Sequence, residues 1–335
     1  MSEEQLIARI RELFPPRRAV TGIGDDAAVI DVAGRQVVTC DMLIEDVDFT
    51  SAVPLPFVAR KALAANLSDL AAMGAVPDYF VVALAFPRSL IPAIEGFLVA
   101  LAEAARHYAV ELIGGDLSGA GKLIVSVTAM GTLAEGARPL LRSGARAGDR
   151  LYVSRPIGGS AAGLALLQKG WTIHEDGTVE PPPRSGPYGY AQRELAAAAI
   201  RRHVDPEPET LLGPRLASMP EVTACLDISD GLSTDLHHLC DASGVGAEIE
   251  RERLPIFSDL IGTGGSLGIR ADEAVLHGGE EYALLFTSTM RESELSSRLG
   301  RPVYAIGQIK NEKRVTLKEG ETANPLEARG FDHFS

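Results

Sequence analysis

Carboxylates recur in this sequence where apolar runs give way to glycine and turn residues. GIGDDAAVI carries Asp25 and Asp26 on a glycine-flanked turn, VVTCDM leads an apolar strand to Asp41, and ELIGGDLSG leads another to Asp116 behind a glycine pair. ACLDISDGL places Asp227 at a strand end and Ser229 and Asp230 at the start of a helix. Strand termini are where small-molecule sites usually form, because a rigid sheet holds the loops there. Like charges repel and carboxylates resist burial, so acids gathered in this way need something positive to meet them. Within KALAANLSDLAAMGA, Asn66 and Asp69 share a helical face, and Lys61 lies two turns earlier on much the same side. Hard oxygen ligands of this number and kind suit magnesium, held by a few carboxylates together with substrate phosphates. DMLIEDVDF adds Asp41, Glu45, Asp46 and Asp48 within one short stretch, which reads either as a solvated strand edge or as part of such a cation site.

Other chemistries find little support in the text of the chain. No GxxxxGK[ST] occurs, and GTGGSLG (262–268) misses the GxGxxG spacing and reads as a flexible loop. DVDFT (46–50) matches the DxDxT nucleophile motif of haloacid-dehalogenase-type phosphatases, but that motif follows an uninterrupted apolar strand and DMLIE carries two acids. His237 and His238 in TDLHHLC read as helix surface, with no partner at zinc spacing. GGSLG (264–268) has GxSxG spacing but does not sit between a clear strand and helix, so no nucleophile elbow supports acyl transfer.

Composition bounds the partners. The chain has 335 residues, 46% of them hydrophobic, enough for a sizeable core and, as a soft prior, two domains. Asp and Glu outnumber Lys and Arg by 45 to 32, a formal charge of −13, and no basic patch is gathered for nucleic acid. An acidic protein that handles phosphates has to recruit metal ions to neutralise them. Cys40, Cys225 and Cys240 form no CxxC pair and are odd in number, which points to a reducing cytoplasm rather than a disulfide framework or zinc site. The N-terminus MSEEQLIARI reads as acidic and amphipathic rather than as a leader, and the run YFVVALAF is far too short for a membrane span.

The elements that must position these acids follow from periodicity. Ser2 with Gln5 reads as a capping box ahead of a short first helix. AAVIDVAGRQVVTCDML predicts two strands joined by a glycine turn, and FVARKALAANLSDLAAMG a helix closed by Gly74. DYFVVALAF predicts a buried strand, IPAIEGFLVALAEAARHYA a helix, and VELIGG and KLIVSVTAMGTL two further strands. This half reads as α+β with a mixed sheet, residues 1–135; a second alternation of strands and helices, residues 136–335, reads as an α/β domain. PPPRSGPYG (181–189) is a loop inside that second domain.

Read together, GIGDDAAVI, TCDMLIEDVDF, KALAANLSDLAAMGA, ELIGGDLSG, LLRSGARAGD, DISDGLSTDL, GGEEYALLF and the terminal GFDHF resemble the thiamine-monophosphate kinases of the aminoimidazole-ribotide-synthetase-like superfamily. GGEEY and GFDHF favour these kinases over selenophosphate synthetases and hydrogenase-maturation relatives. The resemblance implies an N-terminal domain whose strands pair across a homodimer, with ATP bound between the two domains. It implies magnesium held by Asp26, Thr39, Cys40, Asp41, Asp69, Asp116, Asp227 and Asp230, with Gly115, Asp116, Arg142 and Ser229 contacting ATP. Glu280 and Phe331 match substrate-contacting positions. Two positions depart from the pattern. Cys40 stands where Thr is usual, and a soft thiol is a poor magnesium ligand, so a contribution there would come from its backbone carbonyl. Asp48 stands where a substrate-contacting His is usual, and its charge opposes an anionic acceptor. The implied reaction is ATP-dependent phosphorylation of thiamine monophosphate, with no protein general base because the acceptor phosphate is already ionised. A related superfamily enzyme acting on another acceptor is the alternative, motivated by Asp48.

Overall fold

The computed structural model describes residues 3–183 and 187–331; Ser2 and the Asp332–Phe334 part of GFDHF lie outside the described residues. The first half contains α1 (Glu3–Leu13), β1 (Gln36–Ile44), α2 (Leu55–Ala72), β2 (Val76–Phe86), α3 (Ile94–His107), β3 (Glu111–Gly119) and β4 (Ile124–Thr132). The strands form one sheet in the order β1-β4-β2-β3. β2 and β3 are parallel because α3 carries the chain back between them, and the other pairs are antiparallel. Alternation on β4 buries Val125, Val127 and Ala129 on one face, against α2. The opposite face stays open: Val38 and Met42 of β1 are 60% and 51% exposed.

The predicted pair of strands over AAVIDVAGRQVVTCDML resolves into β1 alone. Val29 forms only an isolated bridge with Thr21, and Val29 and Val32 are exposed, so no neighbouring strand rewards their alternation with burial.

The second half contains β5 (Arg150–Val153), α4 (Gly159–Gln168), β6 (Thr172–Ile173), β7 (Val179–Glu180), α5 (Tyr190–Val204), α6 (Leu212–Ala217) and β8 (Val222–Asp227). It continues through α7 (Leu232–Ser243), β9 (Gly246–Glu250), α8 (Ala271–His277), β10 (Leu284–Ser288), α9 (Glu292–Leu299), β11 (Tyr304–Lys310), β12 (Val315–Glu319) and β13 (Thr322–Pro325). Its main sheet runs β13-β12-β9-β11-β5-β10-β8, mixed in sense because β9 and β12 are parallel within an otherwise antiparallel set. No helix among the described residues is long and apolar enough to cross a membrane.

Helix α2 joins the two halves. Pro54 and Pro56 start it, Gly74 follows its end at φ +78°, and it is buried nearly all round. It packs on β1, β4 and α3 of its own half and on α5, α6 and β8 of the other. Its contact with α6 is backbone to backbone: a Cβ on Gly213 would lie 2.0 Å from the Ala71 carbonyl oxygen. Gly213→Ala is therefore expected to force the two helices apart, at about 2–3 kcal/mol. A thermal melt checks this, with a fall in Tm of about 5 °C or more expected.

Candidate active site

Three side chains of α2, Asn66, Ser68 and Asp69, tie β1 and the end of β8 together at the junction. Asn66 is fully buried; its Oδ1 accepts the Asp41 amide at 3.0 Å while its Nδ2 donates to the Ala62 carbonyl at 3.0 Å. β1 is an edge strand, so Asn66 supplies the partner that the outward-facing Asp41 amide would otherwise lack. Thr39 donates its hydroxyl to the Asp69 carboxylate. One residue before Asp69, the buried Ser68 donates its hydroxyl to Asp227 at 2.6 Å. One turn of helix thus binds the Asp41 backbone on β1, contributes the Asp69 carboxylate, and touches the carboxylate at the end of β8.

These three carboxylates are close enough to act on one another. Burial, and then the neighbouring Asp69, push Asp41 up to about 6. Asp69 is raised by burial, against the Thr39 hydroxyl and the Arg142 guanidinium, which favour its charged form. Asp227 is only 4% exposed; burial first, then Asp69, with Asp235 and Asp41 adding, raise it to about 8, against the Ser68 hydrogen bond. A native fold that crowds acids in this way stores repulsion that a cation relieves. The donors are hard oxygens throughout, the set that suits magnesium or calcium and not a thiophilic metal.

Three segments from the second half close around this cluster. The Asp227–Gly231 turn enters α7, where the buried Asp235 accepts the Asp230 and Gly231 amides at 3.1 and 3.0 Å. Asp230, Asp235 and His238 bring ligand atoms within 4.8 Å of one another. Loop 278–282 lies against that turn, with the Glu280 amide donating to the Ser229 carbonyl at 2.7 Å and the Tyr282 amide to Ile228 at 2.9 Å. Near the C-terminus the Gly330 amide donates to Thr234 Oγ1 at 2.8 Å and the Phe331 amide to the Asp230 carbonyl at 3.1 Å, which brings the 53%-exposed Phe331 to the same rim. Glu280 and Tyr282 have φ of +57° and +48°, a left-handed backbone that non-glycine residues adopt at a cost and that concentrates at functional sites.

The chain resembles known proteins along nearly its whole length. Residues 24–133 match the N-terminal domain of AIR synthase related proteins, and residues 146–319 match their C-terminal domain. The thiamine-monophosphate kinase of Bacillus subtilis is 37% identical over 324 residues, 93% of each chain. The chain belongs to the thiamine-monophosphate kinase family. A solved thiamine-monophosphate kinase from Stenotrophomonas maltophilia superposes with a TM-score of 0.78 at 33% identity, covering 95% of this chain and 97% of that one. A structure described as AaThiL complexed with AMPPCP and TMP superposes at 0.75 and 30% identity, covering 99% and 97%.

Several positions to which the kinase family's pattern gives a role lie outside the cluster. Asp26 is exposed on its loop, where its amide donates to Asp25 Oδ1 at 2.9 Å. Asp41 and Asp116 lie inside β1 and β3, and not at their ends as the turn residues suggested, because each strand keeps its sheet partner beyond the acid. The register puts Asp41 in line with Val127 and Val82, and Asp116 in the next row with Ala83, Ser126 and Met42. Asp116 is exposed and accepts the Ser118 hydroxyl at 3.2 Å, on the open side of the sheet. Gly115 precedes it on that edge strand, and Arg142 is exposed but close enough to influence Asp69.

Strand alternation also sets the Cys40 side chain apart from the cluster. It lies between Thr39 and Asp41, so its thiol projects from the open face, 3.6 Å from Ser126 Oγ. Asp48 caps the turn after β1, its Oδ2 accepting the Ile44 amide at 2.8 Å. Glu45 accepts the Leu123 amide at 2.9 Å, while Asp46 is exposed and pairs with Lys122 at 3.1 Å.

Sequence reasoning missed Ser68, Asp235 and the buried Tyr282. Ser68 is flanked by two residues of the motif, and only the placement of β8 shows that it serves Asp227. Asp235 in the first turn of α7 reads as an ordinary favourable helix-dipole residue, and burial by the loop above it is invisible in one dimension.

Proposed function

We propose that this protein transfers the γ-phosphoryl group of ATP to the phosphate of thiamine monophosphate. An acceptor phosphate oxygen bonds to Pγ, the bond from Pγ to the β,γ-bridging oxygen breaks, and ADP leaves with that electron pair. The acceptor oxygen is ionised at neutral pH, so no side chain has to remove a proton, and positioning and charge neutralisation carry the acceleration. The observation that carries this reading is the meeting of the Asp41, Asp69 and Asp227 carboxylates at the domain junction beside α2, close enough to act on one another. The relative bound to AMPPCP and TMP, an ATP analogue and a monophosphate, supports the same pairing of ligands here.

Magnesium is the cation assigned to this site; bound, it neutralises phosphate charge and lets two polyanions approach. Asp41, Asp69, Asp227 and Asp230 would hold it, with Thr39 orienting Asp69 and Ser68 orienting Asp227. Arg142 and Ser229 would contact ATP, and Glu280 and Phe331 the acceptor. Asp26 on its exposed loop and Asp116 on the open sheet face would join from outside this core. The exposed Val38 and Met42 on that face support a homodimer contact through β1. The free thiols of Cys40, Cys225 and Cys240 suit a reducing cytoplasm.

ADP release with ATP and magnesium is expected to rise at least tenfold on adding thiamine monophosphate, with thiamine diphosphate formed in equal amount. ADP release indifferent to thiamine monophosphate would overturn the assignment.

A further inference from the structure

Lys61 of α2 is 3% exposed, yet its ammonium belongs to no part of the acidic cluster. It reaches across the domain junction to Glu280 Oε1 at 2.6 Å. The other Glu280 oxygen lies 3.3 Å from Nδ1 of the buried His203, whose ring is held neutral by burial and by the Lys61 charge. The same nitrogen is 3.1 Å from Ser160 Oγ. Glu280 thus has the Lys61 ammonium at one oxygen and the His203 ring at the other, while its side chain remains 28% exposed.

The loop around Glu280 is anchored on every side but that one. Glu281 turns inward, where its Oε1 accepts the Gly158 and Ser160 amides at 2.8 Å each. Arg155 donates to the Glu281 and Tyr282 carbonyls at 2.8 and 2.9 Å. These contacts fix the backbone at its left-handed φ values and leave the Glu280 rotamer to Lys61 and His203.

We propose that Lys61 is a positioning residue for acceptor binding: it holds the Glu280 carboxylate at the site rim, aimed at a cationic ring of the acceptor. This rests on the kinase reading above. A carboxylate repels the triphosphate of ATP, whereas the thiazolium of thiamine monophosphate is a cation that it attracts. Lys61 then acts on one substrate only, through a residue of the other domain.

Steady-state kinetics of the full-length protein test this with Lys61→Met, Lys61→Arg and Glu280→Gln. Lys61→Met is expected to raise KM for thiamine monophosphate at least tenfold and to leave KM for ATP within twofold. Lys61→Arg keeps the charge and recovers most of the loss. Glu280→Gln gives the same split with Lys61 intact, so the comparison survives if Lys61→Met folds poorly, and the double variant is no worse than the poorer single. A lower Tm and kcat with both KM values unchanged would make Lys61 a structural strut and overturn the proposal. Wild-type protein that fails to respond to thiamine monophosphate would instead sink the kinase reading, and this inference with it.

Discussion

Asp227→Asn is expected to lower kcat/KM for thiamine monophosphate phosphorylation by at least about 10³-fold, a loss of roughly 4 kcal/mol of transition-state stabilisation. The carboxylate stands at the end of β8 where Asp41 and Asp69 converge, and the amide has the same shape without the charge. Asn is preferred to Ala because its carbonyl oxygen still accepts the Ser68 hydroxyl. Ala would leave that buried donor unpaired at about 1–3 kcal/mol and blur a functional loss with a folding one. Retention of more than a tenth of wild-type kcat/KM, with a normal melt, would remove Asp227 from the machinery.

The second large effect is on the stability of the metal-free protein. Asp41 and Asp227 are raised to about 6 and about 8, mainly by burial. In the unfolded chain both titrate near 3.9. Between about pH 4 and pH 8 the native state therefore holds protons that the unfolded chain has released, and stability falls as pH rises, by up to about 1.4 kcal/mol per pH unit for each such proton. In EDTA, Tm is expected to drop by about 4–8 °C between pH 5.5 and pH 8.0. Asp227→Asn removes one of the two groups and flattens the profile, so that the variant melts above wild type at pH 8. Magnesium at 100 times its Kd restores about 2.7 kcal/mol to the wild type. A Tm that is flat or rises over this range in EDTA would show that the carboxylates are not crowded.

Much of the frame is visible in the chain itself, and the reason differs from element to element. α2 and β4 declare themselves because burial imposes their period on the sequence: leucines and alanines at helical spacing in one, strict alternation in the other. β1 and the stretch before it look alike, yet only β1 finds a partner in β4. Asp41 and Asp116 were legible as acids in the right motifs but not as residues of strand interiors, because the end of a strand is set by its neighbour. Their opposite faces follow from register, where a shift of one residue reverses the side a group points to.

The order of residues determined which chemistry was available: hard oxygens at glycine-flanked turns and in the acidic DMLIEDVDF stretch, an acidic balance that calls for cations, and a helix with Asn66 and Asp69 on one face. Only the tertiary structure decided which of those oxygens meet. Ser68 and Asp227 are 159 positions apart and 2.6 Å apart in space, and Lys61 finds Glu280 across the same junction. Such pairings depend on how α2 is wedged between two sheets, and the packing of apolar surfaces that wedges it there acts over distances the sequence does not encode locally.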